Sequence, residues 1–189
     1  MNRRSNPRDA IRLRISLAEI EPSIWREVLV SRDTTLHELH RGIQVLFDWY
    51  DYHLYEFDIG GRRFEAPDEE AEGEDATKAK LRNVVEGPGH AFRYTYDFGD
   101  HWVHRIEVLE MNVRADPDWL PYLVDGARSG PPEDCGGVFG YFRLLEALRT
   151  PYEDLDEEGR TLVDWAGPDY DPEEFSVEQA RHALLLCGA

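Results

Sequence analysis

The sequence has few cysteines and no long apolar run, and each shortage excludes a class of protein. Its 189 residues include two cysteines, too few for a disulfide-stabilised secreted scaffold, so we expect two free thiols. No apolar stretch approaches the roughly 20 residues that a membrane-spanning helix needs. The basic first residues are not followed by the apolar core of a signal peptide. We therefore expect a cytoplasmic protein with no membrane segment.

Basic residues are also scarce. Asp and Glu number 39 against 21 Lys and Arg, which gives a formal net charge of -18. Affinity for nucleic acid comes largely from Lys and Arg that neutralise phosphates, so this balance argues against a broad nucleic-acid surface. The exception is a basic cluster from Arg3 to Arg14, which is more typical of a solvated tail than of a binding arm. We expect no nucleic-acid partner except through this cluster.

Motifs of the common catalytic and metal-binding classes are missing as well. There is no Cys-x-x-Cys pair for a structural zinc site, and no Lys-Ser/Thr pair follows a glycine-rich run as in a phosphate-binding loop. His37 and His40 lie three residues apart, which is not the spacing of a metalloprotease helix. We interpret both histidines as solvated helix residues. No standard motif therefore assigns a reaction.

The first part of the chain predicts a strand, a strand, a helix and a strand. Alternating apolar and polar residues predict strands at 11–17 and 24–30, which we expect to form a hairpin. Asp33, Thr34 and Thr35 supply side-chain oxygens that can accept the free N–H groups of a helix start, and apolar residues at helical spacing predict an amphipathic helix over 35–49. A strand at 53–59 follows. This order fits a β-grasp-like N-terminal core.

The rest of the chain adds two strands and two helices. We predict strands at 91–97 and 102–110, and helices at 138–149 and 176–186. The fold class is therefore α+β, with a single mixed or antiparallel sheet, helices packed on it, and further helices at the C-terminal end.

The composition predicts one domain over residues 11–187, preceded by a flexible basic tail at 1–10. A stretch at about 66–80 is rich in acids and poor in large apolar residues, so we interpret it as a flexible acidic insertion. We interpret 154–158 as a solvated acidic surface. The stretch 165–172 is typical of a turn-rich connection that is ordered by its aromatic residues.

One unusual segment runs from Tyr94 to His104 and combines aromatics, glycine, carboxylates and imidazoles. If a strand begins at Trp102, then Trp102, His104 and Ile106 share one face, because side chains alternate along a strand. Imidazole and carboxylate groups bind metals and transfer protons. Asp100 and His104 are therefore candidate catalytic residues.

A neighbouring strand can add a third group to this segment. With His53, the side chains of Asp100 and His104 are candidate ligands of a divalent metal. A second interpretation needs no ligand. Asp97 or Asp100 then caps the turn, Gly99 supplies a positive φ, and the imidazole is a hydrogen-bonded structural group. Turn chemistry alone explains the glycine and the carboxylates, so the sequence favours this second interpretation.

The other unusual segment is 131–141. Asp134 could cap the helix that follows, and Cys135 near the start of that helix is a candidate nucleophile, because a helix N-terminus lowers a thiol pKa. A buried, unreactive thiol is the alternative. Aromatic and glycine-rich junctions can shape a binding groove, so Trp102, Asp134 and Tyr141 are candidate ligand-binding residues.

These segments resemble one family over residues from about 11 to 185. The matching positions are Ile24–Arg26, Leu36–His40, His53-Leu54, Phe57, Tyr96–Asp100, Trp102, His104, 131–141, Leu144–Leu148 and Asp169–Pro172 with Phe175. The chain resembles the plasmid pRiA-type ORF-three-like family, which is also labelled as a TnpR-type passenger protein of insertion elements. The resemblance implies a compact α+β domain found on plasmids, mobile elements and chromosomes, and it implies no particular activity.

The passenger-protein label does not supply a recombinase mechanism. His90 and Arg93 match a His-x-x-Arg pattern, and Tyr122 lies downstream, but the pattern falls at a predicted strand edge in an acidic chain. Neither Ser5 nor Ser16 lies in the context that a serine resolvase needs. We therefore reject both recombinase mechanisms.

Three functions remain open at this point, and whether the protein is an enzyme is one of the open questions. The first is a non-enzymatic binding or accessory module for a protein, a peptide or a small ligand. The second is a metal-dependent or acid/base hydrolase that uses His53, Asp100 and His104, together with Asp134 or Cys135. The third is a DNA-recombination-associated protein, which the net charge of -18 disfavours.

Overall fold

The computed structural model describes residues 10–67, 72–114 and 119–187. These residues form eight strands: β1 (Ala10–Leu17), β2 (Trp25–Ser31), β3 (Tyr55–Ile59), β4 (Arg62–Glu65), β5 (Glu74–Asp75), β6 (Ala91–Tyr96), β7 (Trp102–Val113) and β8 (Tyr122–Ala127). They also form five α-helices: α1 (Leu36–Phe47), α2 (Leu81–Val84), α3 (Gly137–Ala147), α4 (Glu157–Ala166) and α5 (Val177–Cys187). None of the helices in these ranges is both long enough and apolar enough to span a membrane.

All eight strands belong to one open sheet. The strand order is β5-β4-β3-β6-β7-β1-β2-β8. Neighbouring strands are antiparallel except for the parallel pair of β4 and β5. The predicted α+β class with a single mixed sheet is therefore confirmed. The predicted order of strand, strand, helix and strand is also present, although β6 and β7 lie between β3 and β1.

The helices pack on one face of this sheet. Leu13 and Ile15 of β1 share a hydrophobic cluster with Ile43 of α1, Leu144 of α3 and Leu184 of α5. Residues between them on β1 are polar or charged and only partly buried, because successive side chains point to opposite faces. The helix-covered face is therefore the hydrophobic core, and the other face is largely polar.

Two helices begin where the sequence predicts. The Thr35 hydroxyl accepts the Glu38 N–H at 3.1 Å, and the Glu38 carboxylate accepts the Thr35 N–H at 2.7 Å, which is a capping box at the start of α1. The Ser176 hydroxyl accepts the Gln179 N–H at 3.3 Å, at the start of α5. Side-chain caps of this kind satisfy helix N–H groups that have no backbone partner.

The sequence pattern does not predict β4, β5, β8 or α4. β4 and β5 have few apolar residues, and β8 pairs with β2, which lies about 100 residues earlier in the chain. Helix α4 begins inside the stretch interpreted as a solvated surface and ends inside the stretch interpreted as a connection, which corrects both boundaries. Its Leu162 and Val163 pack against the core, while the acidic residues around them hide that periodicity.

Part of the predicted acidic insertion contributes to the sheet. Within 72–80, strand β5 pairs with β4, and Ala76 is fully buried. Residues 68–71 of the insertion and 1–9 of the predicted tail lie outside the described residues. Ala10 already belongs to β1 and is buried.

Candidate functional site

Two adjoining cavities lie between the end of α1, the segment 129–134 and the stretch that links α4 to α5. Their volumes are about 570 Å³ and about 400 Å³. Five residues line both cavities: Phe47, Asp48, Gly130, Ala166 and Tyr170. The cavities therefore form one continuous depression, which we call the groove.

Exposed aromatic side chains stand at one end of the groove. Tyr50, Tyr52 and Trp165 are 66%, 75% and 60% exposed, and all three line the smaller cavity. The rings of Tyr50 and Tyr52 stack with their centroids 5.7 Å apart. The indole N–H of Trp165 donates to the Glu133 carbonyl at 2.6 Å, which fixes one edge of the ring and leaves much of it exposed. This part of the groove is a preformed aromatic surface.

The groove is also strongly acidic. Six carboxylates line it: Asp48, Glu133, Asp134, Asp169, Asp171 and Glu174. Among its described lining residues the single Lys or Arg is Arg26, which is buried. The Arg26 guanidinium donates to the carbonyls of Leu46, Trp25 and Ala127 at 2.8–2.9 Å. Burial lowers the pKa of Arg26 to about 9, so it stays cationic at neutral pH, but its donors are already used inside the protein. The groove therefore presents negative charge to a ligand.

Glu133 ties the aromatic end of the groove to the sheet. Its side chain is buried and accepts the Tyr50 N–H at 2.7 Å and the Tyr96 hydroxyl. Burial, and then the carboxylate of Glu133, raise the pKa of the Tyr96 phenol, so this hydroxyl stays protonated and donates. The Tyr96 oxygen in turn accepts the Tyr52 N–H at 3.0 Å. These bonds hold the backbone that carries both exposed tyrosines.

A closed ring of four hydrogen bonds holds the loop between α1 and β3, which carries Tyr50 and Tyr52. The Asp51 N–H donates to Gln44 Oε1 at 3.1 Å, and Gln44 Nε2 donates to the Tyr94 hydroxyl at 3.1 Å. His40 Nδ1 and the Tyr94 hydroxyl are 2.7 Å apart, and His40 Nε2 lies 2.8 Å from Asp51 Oδ1. Since the carboxylate must accept, Nε2 carries the proton and Tyr94 donates to Nδ1. His40 is fully buried, which corrects its interpretation as a solvated residue.

A second histidine lies at the surface beside the groove. His53 Nε2 is 2.9 Å from Asp134 Oδ1 and 3.7 Å from Asp97 Oδ2. One ligand atom from each of the three residues lies within 4.8 Å of the others. Asp97 and Asp134 both have positive φ, +54° and +57°, a conformation that Asp and Asn adopt more readily than most residues. We call these three residues the His53 cluster.

The turn after β6 differs from the predicted one. Asp97 Oδ1 accepts the Gly99 N–H at 2.8 Å, so an aspartate does cap the turn, but the positive φ values belong to Asp97 and His101. Asp100 does not join the His53 cluster. Its carboxylate accepts the Gly136 N–H at 3.0 Å. A Cβ atom at Gly137 would lie 2.4 Å from the Asp100 carbonyl oxygen, so the glycine permits this close approach of the two turns.

The structure places three predicted site residues in the core. Trp102, His104 and Tyr141 are all buried, and Trp102 and His104 share one face of β7 as the alternation predicts. The His104 ring packs edge-on against Phe47 at 4.7 Å and Trp49 at 5.4 Å. Burial lowers the pKa of His104 to about 3, so its imidazole is neutral at neutral pH. His104 is thus not brought together with His53 or Asp100.

The remaining candidates lie at the start of α3. Cys135 is buried, and burial raises the pKa of its thiol to about 12, which leaves little thiolate at neutral pH. Asp134 does not cap α3. Gly136 is the N-cap residue and provides no side-chain hydrogen bond, so the Asp134 carboxylate is turned toward His53.

Sequence reasoning missed three groove residues and undervalued one residue of the His53 cluster. Tyr50, Tyr52 and Trp165 were not candidates, and Asp97 was considered only as a turn cap. One signal could have found the tyrosines: residues 49–53 place three aromatics and a histidine in a loop with no apolar period to bury them.

The comparisons with known proteins agree with the described fold. A family model described as plasmid pRiA4b ORF-3-like protein matches residues 9–179. The uncharacterised protein y4hQ of Sinorhizobium fredii is 35% identical over 178 residues, which cover 92% of this chain and 90% of that protein. The crystal structure of a protein of unknown function from Methanosarcina mazei Go1 has a TM-score of 0.80 and 33% identity, over 90% of this chain and 97% of that one. None of these descriptions mentions a resolvase or an insertion element.

Proposed function

We propose that this chain, which belongs to the plasmid pRiA4b ORF-3-like protein family, is a binding module that takes a basic peptide segment of a partner protein into its groove. The observation that carries the proposal is the combination of exposed aromatics and carboxylates in one preformed depression. Cations bind favourably over aromatic rings, and carboxylates form charge-assisted hydrogen bonds with guanidinium and ammonium groups. A peptide with Arg or Lys side chains matches both.

The dimensions and charge of the groove favour a peptide over a nucleic acid. The two cavities together suit an extended segment of several residues, and their lining carboxylates would repel phosphates. Tyrosine and tryptophan are also the side chains most enriched where binding energy is concentrated at protein interfaces. Trp165 is held by its hydrogen bond to Glu133, so little side-chain entropy is lost when a ligand contacts it.

The test uses a fluorescein-labelled nonapeptide pool with two fixed arginines and Gly, Ser, Leu or Tyr elsewhere. Binding is measured by fluorescence anisotropy at 150 mM NaCl, where long-range attraction to the net charge is largely screened. We expect saturable binding, and we expect a matching pool with citrulline in place of arginine to bind at least about tenfold more weakly, because citrulline is uncharged.

Two groove variants and one control locate the binding. Trp165→Ala and Asp48→Asn should each weaken binding about tenfold, roughly the effect of a moderate interface hot spot. Phe139→Ala is the matched control, because Phe139 is 75% exposed and lines neither cavity. If the arginine and citrulline pools bind equally, or if Phe139→Ala weakens binding as much as Trp165→Ala, the groove is not the binding surface.

A further inference from the structure

We propose that the His53 cluster is a binding site for a divalent transition-metal ion, with His53, Asp97 and Asp134 as its protein ligands. One imidazole nitrogen and two carboxylate oxygens lie within 4.8 Å of one another. Small side-chain rotations bring such atoms to the 2.0–2.2 Å that zinc needs. Imidazole favours first-row transition metals and carboxylates suit manganese, so Mn²⁺ and Zn²⁺ are the ions of choice.

The hydrogen bonds of the cluster leave one acceptor unused. His53 Nε2 can donate one proton, and it lies at hydrogen-bond distance from Asp134 but 3.7 Å from Asp97 Oδ2. The Asp97 side chain is 10% exposed. Its Oδ1 accepts the Gly99 N–H, whereas no described residue donates to Oδ2. Oδ2 can therefore coordinate a cation placed between the three groups, since carboxylate oxygens bind divalent ions.

The charge around the cluster also favours a divalent cation as the ligand. Asp97 and Asp134 form no salt bridge with a Lys or Arg among residues 10–67, 72–114 and 119–187. Two more carboxylates lie within three residues of them in sequence, Asp100 and Glu133, and these accept the N–H groups of Gly136 and Tyr50 but form no salt bridge with a Lys or Arg in those ranges. Among the same described residues, His53 is the one basic side chain within salt-bridge distance of Asp97 and Asp134. A divalent ion would neutralise the excess negative charge.

The cluster differs from a closed structural site. Three protein ligands leave at least one coordination position open on a four-coordinate or six-coordinate ion. Asp134 lines the groove, so an open position on that side is accessible to a ligand in the groove. The metal site and the peptide-binding groove share Asp134 but are tested separately, because the groove variants at Trp165 and Asp48 change no residue of the His53 cluster.

The test is metal binding to the full chain, purified without a histidine tag and treated with a chelator. Isothermal titration with MnCl₂ and with ZnCl₂ should show one site of higher affinity than the scattered surface carboxylates. Asp97→Asn, Asp134→Asn and His53→Gln should each weaken it at least about tenfold, since each replaces a carboxylate or imidazole ligand with a neutral amide, which is a weaker ligand. Asn tolerates the positive φ of both aspartates, so the backbone is preserved.

Two controls keep the result interpretable. Asp100→Asn retains an acceptor for the Gly136 N–H and lies outside the cluster, so it should leave the affinity unchanged. Circular dichroism melting without metal checks that each variant is folded. In ¹⁵N-labelled protein, Mn²⁺ should broaden amide signals around His53 first. Broadening centred on the acidic stretch 153–174, or equal affinity in Asp97→Asn and the wild type, would overturn the proposal.

Discussion

His40 and His53 are both bonded to an aspartate, yet their surroundings give them different roles. His40 is fully buried, and each of its ring nitrogens has one partner in a ring of four hydrogen bonds. His53 is partly exposed, and its Nε2 faces two carboxylates. A closed network has no capacity for another ligand, whereas the His53 cluster does.

The two regions are also connected. The hydrogen-bond ring holds Asp51, and this residue lies in the same loop as Tyr50, Tyr52 and His53. Buried, fully satisfied polar groups are rigid, because breaking one leaves its partner without a hydrogen bond in a low dielectric. We infer that the buried ring stabilises the loop and that the exposed residues on the loop are available for binding.

The largest expected effect comes from opening the ring. Tyr94→Phe removes the hydroxyl and leaves His40 Nδ1 and Gln44 Nε2 buried without partners. We expect a loss of about 3 kcal/mol in the free energy of unfolding, since each unsatisfied buried group costs about 1–3 kcal/mol. Urea denaturation measures this change.

Tyr52→Phe is the matched control for that substitution. Tyr52 is 75% exposed, so removing its hydroxyl should change stability by less than about 0.5 kcal/mol. Equal losses in Tyr94→Phe and Tyr52→Phe would contradict the distinction between the buried ring and the exposed loop.

An intermediate effect is expected from pH. Burial lowers the pKa of His40 to about 4 and that of His104 to about 3, from an ordinary value of 6.5. Between pH 6.5 and about 4 for His40, and between pH 6.5 and about 3 for His104, the unfolded chain binds a proton that the folded chain does not. The free energy of unfolding therefore decreases as the pH drops below about 6.5. At pH 5 each imidazole should account for a loss on the order of 2 kcal/mol.

Replacing one of the two histidines tests that account. His104→Phe fits an aromatic pocket formed with Phe47 and Trp49, and it removes one titrating group. Its stability should fall about 2 kcal/mol less than that of the wild type between pH 7.5 and pH 5. Parallel pH profiles for the two proteins would show that His104 is not a neutral buried group.

The smallest stability effect is expected at the exposed histidine. Asp134→Asn keeps an oxygen that can accept from His53, and the pair is largely exposed, with side-chain exposures of 30% and 50%. Ion pairs of this kind contribute about 0–1 kcal/mol. Chemical denaturation without metal should therefore show a change below about 1 kcal/mol. A loss as large as that of Tyr94→Phe would make Asp134 a structural residue and remove the contrast between the two regions.

The elements that the sequence predicts well are those with strong local signals. The alternation in 11–17, the N-cap residues at 33–35 and the N-cap at Ser176 depend on neighbouring residues alone, and a strand and two capped helix starts are found there. β5 is the opposite case. It has two residues, and its pairing with β4 depends on a partner strand elsewhere in the chain.

The candidate site was predictable only in part for the same reason. His53 and Asp134 were candidates because their side chains suit binding chemistry. Asp97 joins them because the fold brings the turn after β6 beside His53, with Oδ2 at 3.7 Å from the imidazole. Nothing in the local sequence separates it from Asp100, which binds a backbone N–H instead.

The sequence by itself determined the fold class, the starts of α1 and α5, the acidic charge and the family resemblance, because periodicity, capping and composition are local or additive properties. Tertiary structure alone decided which titratable groups are buried and which meet. His40 and His104 became neutral core residues because the helices cover that face of the sheet. His53 became the centre of a cluster because residues 81 positions apart, His53 and Asp134, were brought within 2.9 Å.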